Sequence, residues 1–278
     1  MGEVDVVELE EKAQMAQWEE MRKILLTKDP LAYIPEPVEY PESNGKPMAE
    51  TDVHIKQIID LRVSLENHFR DDPQVYVAGN LLLYYAEGDA SQKVSPDVFV
   101  VFGVPKGERR TYKVWEEGKG PDVVFEITSR STWREDLGDK KILYAVLSVQ
   151  EYFLFDPLEE YLRPPLRGYR LAGEEYRQMP GDFTPSGERR LRSEVLGLEL
   201  RVEEGRLRLY DLVTGQKLLT PAETEEARQK AEARAAEEAR ARQKAEARAA
   251  EAEARLSRLE AERAALREEI AKLRAERE

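Results

Sequence analysis

The sequence predicts an α/β or α+β domain, a sheet with helical cover, followed by a long charged C-terminal helix. Three observations carry that reading. Through residues 1–220 the patterning runs helix, strands, helix, strand, which specifies a sheet layered against helices. Charge is also unevenly distributed. The 278-residue chain is 36% charged with a net charge of −13, whereas an average soluble domain carries about 25% charged residues. Residues 221–278 hold 14 Lys/Arg and 15 Asp/Glu, leaving 29 basic and 41 acidic residues, net −12, in a 220-residue remainder that suits one domain with its own core. Finally, Ala227–Glu237 recurs as Ala241–Glu251, a 14-residue shift that equals two heptads and keeps each side chain on the same helical face.

The elements follow in order. Residues 3–26 space Trp18, Met21, Leu25 and Leu26 near helical intervals and stop at Asp29-Pro30, so residues 1–29 read as a helical segment. Four prolines between Ile34 and Ala49 predict an extended loop. From Thr51, an N-cap, Ile55, Ile58, Ile59, Leu61, Leu65 and Phe69 recur with helical spacing as far as Asp71-Asp72-Pro73. Gln74–Ala78, Leu81–Ala86, Asp97–Phe102 and Asp122–Thr128 read as strands, rich in Val, Leu or aromatics and bounded by Gly, Pro or Asp. A basic arm, Arg109 to Lys113, separates the last two. A helix over Arg134–Leu147 is introduced by Thr132-Trp133-Arg134-Glu135, the pattern of a capping box. Glu151–Phe155 resumes as a strand, and Tyr169–Ala172, Glu194–Val202 and Arg206–Tyr210 read as hairpin strands extending or flanking the sheet. Strong helix formers fill residues 221–278. There Leu256, Leu259, Leu266, Ile270 and Leu273 fall on a and d positions with Arg263 at an a site, so residues 250–278 are expected to pair with a second helix. The competing reading is a lone solvated helix held by i,i+4 ion pairs. The domain division is therefore 1–29, 30–220 and 221–278.

Composition narrows the chemistry. With no cysteine there is no disulfide framework, thiolate metal site or cysteine nucleophile. Only His54 and His68 are present, too few for a zinc-protease helix or a His-Asn-His nuclease. Gly45-Lys46 is followed by Pro47, so no phosphate-binding loop forms, and no Gly-x-Gly-x-x-Gly turn supports a dinucleotide. The acidic N-terminus and the lack of an apolar run of ~18 residues predict a cytoplasmic protein with no membrane partner. Carboxylates, lysines and hydroxyls remain.

Two strands open on Pro-Asp: Pro96-Asp97-Val98-Phe99 and Pro121-Asp122-Val123-Val124-Phe125-Glu126-Ile127-Thr128. The second holds a carboxylate inside an apolar run, and an ionised glutamate there needs a cation because desolvating it alone is costly. A structural salt bridge and a functional site are equal readings of Glu126 by itself. Asp97 on a neighbouring strand, with a backbone carbonyl beside Glu126, makes the hard-oxygen, incomplete shell that magnesium prefers when it also holds waters and a phosphate.

These residues, with Ser129-Arg130-Ser131-Thr132, Glu135 to Lys141, Tyr144 and Val149 to Pro157, resemble the Uma-two (Uma2) family of restriction-type endonucleases in the PD-(D/E)XK superfamily. The resemblance covers roughly residues 30–200. It implies a restriction-endonuclease-like core, a mixed sheet of four or five strands between helices, that hydrolyses phosphodiester bonds with Mg²⁺ or Mn²⁺. Asp97 matches the first superfamily acid and Glu126 the second, with the Ile127 carbonyl as third metal ligand. The lysine usual two residues past the second acid is replaced by Thr128, and Lys140 on the following helix matches the family's substitute. Arg130, Leu137 and Ser148 depart from the family pattern. Asp136, Lys140 and Tyr144 lie at i, i+4 and i+8. The competing reading of the first two is a surface ion pair. Glu50 and His54 fall where relatives place polar residues facing the site, against a plainer reading as a helix-end charge and a partly exposed histidine.

The expected function is a metal-dependent endonuclease acting on nucleic acid, DNA ahead of RNA. A net charge of −12 in this domain opposes long-range attraction to phosphates, so contact would fall to Arg109, Arg110 and Lys113 on the arm and Arg130 and Arg134 beside the acids, with Tyr112 and Trp115 stacking on bases. The alternative is a nuclease fold without turnover that serves nucleic-acid binding or coil-mediated assembly as a homo-oligomer.

Overall fold

A computed structural model of the chain describes residues 38–43, 51–184, 187 and 189–275, with side chains as far as residue 270. The expected N-terminal helix, most of the proline-rich loop and Glu50 lie outside the described residues. The chain separates into two compact units, one ending at Pro221 and one beginning at Ala222.

The first unit is built on a six-stranded mixed sheet, one strand wider than the upper bound of the four or five expected. Its strands are β1 (Val75–Ala78), β4 (Val98–Phe102), β6 (Val123–Ile127), β7 (Glu151–Phe155), β8 (Leu166–Ala172) and β9 (Glu175–Gln178), adjacent in that order. Only β6 and β7 run parallel. Parallel neighbours need a crossover connection, supplied by α3 (Trp133–Leu137) and α4 (Asp139–Val146). The extra width comes from the β8–β9 hairpin.

Central position explains why β6 and β7 are so apolar: every residue of both is buried, as expected of strands covered on two faces. On one face Val98, Val100, Phe125, Ile127, Phe153 and Phe155 pack with Ile58, Leu61 and Leu65 of α1 (Asp52–His68). The same core takes in Leu191, Leu198, Leu200, Leu207 and Leu209 from a second sheet. That sheet is β10 (Asp182–Phe183), β11 (Arg189–Ser193), β12 (Leu198–Glu203) and β13 (Arg206–Asp211), antiparallel throughout. On the other face Phe99, Val101, Val124, Tyr152 and Leu154 pack with Tyr144 of α4, Leu83 and Tyr112.

Several local expectations require correction. Leu81–Ala86 shortens to β2 (Leu83–Tyr84), which leaves the main sheet after the turn at Asn80 (φ 51°) and joins β3 (Lys93–Val94) and β5 (Tyr112–Lys113) in a small sheet; the short helix α2 (Val114–Glu117) follows. Glu194–Val202 is interrupted by a turn with Gly197 at φ 68°, so only its second half is strand. In α1, Thr51 caps as expected, accepting the His54 N–H, but Ile55 and Ile59 are exposed. The inward face instead carries Gln57, which bonds both the N–H and the carbonyl of Leu207, and Ser64, which donates to the Leu219 carbonyl. Open backbone groups recruited polar side chains there, an effect that apolar periodicity does not register. The Arg134–Leu147 helix breaks at Gly138 (φ −111°, ψ −98°) into α3 and α4. No capping box forms at its start: Thr132 is already helical, and its hydroxyl accepts the Ser129 N–H.

The second unit is the helix Pro221–Ala275, here α5. Among the described residues no helix is long and apolar enough to cross a membrane.

Gly79 ties the fold to the acids. A Cβ at this position would stand 2.8 Å from the Asp97 carbonyl oxygen, closer than backbone tolerates. Gly79→Ala is expected to destabilise the protein by about 1–3 kcal/mol, measured as a lower urea midpoint, because the chain entering β4 must shift.

Candidate active site

Glu126 is the centre of the site. Strand alternation sets Val124, Glu126 and Thr128 on the face of β6 toward α4, and the Glu126 side chain is 1% exposed. Its Oε1 accepts the Tyr144 hydroxyl at 2.5 Å, and its Oε2 lies 3.0 Å from Lys140 Nζ. That ammonium is also 2.9 Å from Asp136 Oδ1. Asp136 is fully buried, so the pair is not a surface ion pair. The break at Gly138 places Asp136 at the end of α3 and Lys140 in the first turn of α4, still in contact. Tyr152 of β7 donates to the Asp136 carbonyl at 2.9 Å, fixing the end of α3 to the sheet.

Asp97 approaches from the other side. The β4–β6 register pairs Val98 with Phe125, so Asp97, one residue earlier, falls opposite Glu126, one residue later. Its Oδ2 accepts the Ile127 N–H at 2.7 Å and sits 3.5 Å from Nε2 of His54. His54 is 3% exposed, not partly exposed, and is held in the first turn of α1 by the Thr51 cap. Asp97, Glu126, Ile127, Lys140, Asp136 and His54 thus meet at one end of β4 and β6. Asp122 stands apart. It accepts the Phe102 N–H, the Lys119 ammonium and the Gln150 amide, bracing the strand starts.

The electrostatics follow from burial. Desolvation pushes the Glu126 carboxyl well above the usual carboxylate range; Lys140 opposes this while Asp97 and Asp136 add to it. Asp136 is raised for the same first reason, again opposed by Lys140. Burial alone would lower Lys140, but Glu126 and Asp136 outweigh it and hold the amine above the ordinary lysine range, an ammonium at neutral pH. Burial next to Glu126 likewise raises the Tyr144 phenol, which stays a donor.

Three carboxylates facing one ammonium leave a formal excess of negative charge before His54 is counted. Among the described residues no group of three or more His, Cys, Asp or Glu side chains is disposed to enclose a metal ion. What this corner does offer, hard carboxylate and carbonyl oxygens in surplus over its one ammonium, fits magnesium's preference for few protein ligands and several waters. Thr128, where the superfamily lysine would stand, is buried, and among the described residues its hydroxyl has no hydrogen-bond partner.

The basic candidates divide. Arg109 is committed to Glu117 at 2.5 and 2.9 Å and stacks over Tyr76. Arg110 pairs with Glu42, and Lys113 pairs with Glu116 at 2.9 Å and lies over Tyr40. Tyr112 is fully buried and donates to the Lys119 carbonyl, so it cannot stack on a base. Trp115 packs beside Tyr40. Arg130, on the segment leading into α3, and Arg134, in its first turn over the Trp133 ring, are exposed. A groove of about 680 Å³ along β1 includes Arg62, Arg70, Lys106 and Arg109 but none of the acids. Helical spacing aligns Tyr144 with Asp136 and Lys140 without assigning it a role, whereas nothing in the sequence marks Tyr152, which reaches the Asp136 carbonyl from β7.

A family model described as Uma2, putative restriction endonuclease, matches residues 31–203. Among solved structures, the chain is similar to a putative nuclease belonging to DUF820 from Anabaena variabilis, at 18% identity and a TM-score of 0.38, covering 51% of this chain and 76% of that one. No curated protein matches the chain.

Removing the ammonium should expose the cost of the buried acids. Lys140→Met is expected to destabilise by about 3–5 kcal/mol at neutral pH, read by urea denaturation. A carboxyl raised in the folded state penalises folding above its unfolded pKa and ceases to do so below it. The deficit relative to the parent chain should therefore be largest near neutral pH and shrink as pH falls toward about 4.

Proposed function

The chain belongs to the Uma2 family, and from that premise we propose that it is a divalent-metal-dependent endonuclease that hydrolyses phosphodiester bonds in DNA. The observation that supports this most is the opposition of Asp97 and Glu126 across β4 and β6, with the Lys140 ammonium 3.0 Å from Glu126. In this reading Asp97, Glu126 and the Ile127 carbonyl hold Mg²⁺ or Mn²⁺. A cation held there supplies Lewis-acid activation of water and neutralises charge at phosphorus. Lys140 remains protonated, so its role is to donate to the attacking water and to the developing phosphorane charge rather than to remove a proton. Asp136 steadies that ammonium, and Tyr144 fixes the Glu126 carboxylate by donating to its Oε1. His54 orients Asp97. Water adds to phosphorus through its oxygen and gives up one proton to solvent, one P–O bond breaks, and the leaving oxygen takes up a proton from solvent, so that one water is consumed and no net proton is gained or lost. Arg130 and Arg134, both exposed, are the backbone contacts in this reading; the arm residues Arg109, Arg110 and Lys113 are secondary because acids already engage them.

A binding module without turnover draws its support from Thr128 at the superfamily lysine position and from the full engagement of both Glu126 oxygens. A cleavage assay on single- and double-stranded DNA and RNA with Mg²⁺ or Mn²⁺ separates the two. We expect DNA cutting that falls by ~100-fold or more in Asp97→Asn and in Glu126→Gln, with the circular dichroism of both variants unchanged. Absence of metal-dependent cutting on every substrate would leave the binding-module reading.

A further inference from the structure

We propose that α5 pairs with α5 of a second copy as a parallel, in-register two-stranded coiled coil over roughly residues 245–270. The exposed apolar stripe is the first ground. With Leu256 at a, the a and d positions carry Ala245, Ala249 and Ala252, then Leu256, Leu259, Arg263, Leu266 and Ile270, and the four large apolar residues among them are 51–60% exposed on the single helix. They form one narrow seam, the pattern that a partner helix buries.

Charge complementarity identifies the partner and its direction. The g positions carry Arg248, Arg255 and Glu262, and the e positions carry Glu253, Glu260 and Arg267. In a parallel pair each g side chain meets the e side chain five residues further along the other helix. Arg248 then meets Glu253, Arg255 meets Glu260, and Glu262 meets Arg267, so every contact joins opposite charges. The sign at g reverses at Glu262 and the sign at e reverses at Arg267, and a second copy of the same sequence in the same register matches both reversals. Sliding one helix by a heptad sets Arg255 against Arg267 on one flank and Glu262 against Glu260 on the other. An antiparallel pair centred between Leu256 and Leu259 sets Glu253 against Glu260 twice. Arg263 at an a position is a polar interruption of the kind that selects register at some cost in stability, and in the parallel pair Glu262 of the second copy flanks it.

The chain contains no cysteine, so a single introduced thiol reports one position cleanly. In the full-length protein, Leu256→Cys and Ile270→Cys, made separately, should each oxidise to a covalent dimer. Those sites are about 21 Å apart along the helix, so an antiparallel pair can cross-link at no more than one of them. Sedimentation equilibrium should give twice the 32.0 kDa chain mass. Glu262→Lys should weaken association ~10-fold by making two flanking contacts repulsive, and adding Arg267→Glu should restore it. A monomer throughout, cross-linking at one position only, or failure of the double exchange to restore association would overturn the proposal.

Discussion

A carboxylate buried in the middle of a sheet cannot stand alone, and most of this structure's unusual features answer that constraint at Glu126. Both central strands carry a glutamate in an otherwise apolar run. Glu151 is met by Arg170 at 3.0 Å, the Ser193 hydroxyl and the Glu194 N–H, which is enough to make it a structural brace. Glu126 is met by a tyrosine and by a lysine shared with a second buried acid, while Asp97 adds negative charge nearby. The two sites differ in balance. Arginine and backbone donors settle Glu151, whereas the Glu126 corner keeps surplus carboxylate where β4 and β6 end.

The fold makes that corner possible through connectivity. The parallel β6–β7 pair requires a crossover, and the crossover is the segment bearing Asp136, Lys140 and Tyr144. The glycine break within it lets Asp136 and Lys140 both face the strand, and Tyr152 pins the break to the neighbouring strand. On the opposite side, the α1 cap sets His54 against Asp97. Sheet order, helix break and helix cap thus converge on a single set of side chains.

Much of this was legible in the residues. Continuous apolar runs located β1, β4, β6 and β7 to within a residue or two, because burial on both faces imposes them. The misplaced carboxylate singled out Glu126, and helical spacing linked Lys140 to Asp136 and Tyr144. Other features depended on groups that hydropathy does not see. Gln57, by bonding Leu207 of the second sheet, and Ser64, by bonding the Leu219 carbonyl, turned α1 away from Ile55 and Ile59, and Thr132 spent its hydroxyl on Ser129 instead of a helix end. The basic arm looked available for phosphates because sequence order hides Glu117, Glu42 and Tyr76, which engage it in space. The 14-residue repeat announced α5, but its direction of pairing emerges only when g and e positions are compared across two copies.

The account rests on Asp97 and Glu126 acting jointly on one divalent cation. Calorimetric titration of Mn²⁺ into the full chain tests this directly. One binding site per chain, lost in Asp97→Asn and equally in Glu126→Gln while both variants keep the parent's circular dichroism, is the predicted result. No binding, or binding that survives either substitution, would contradict it.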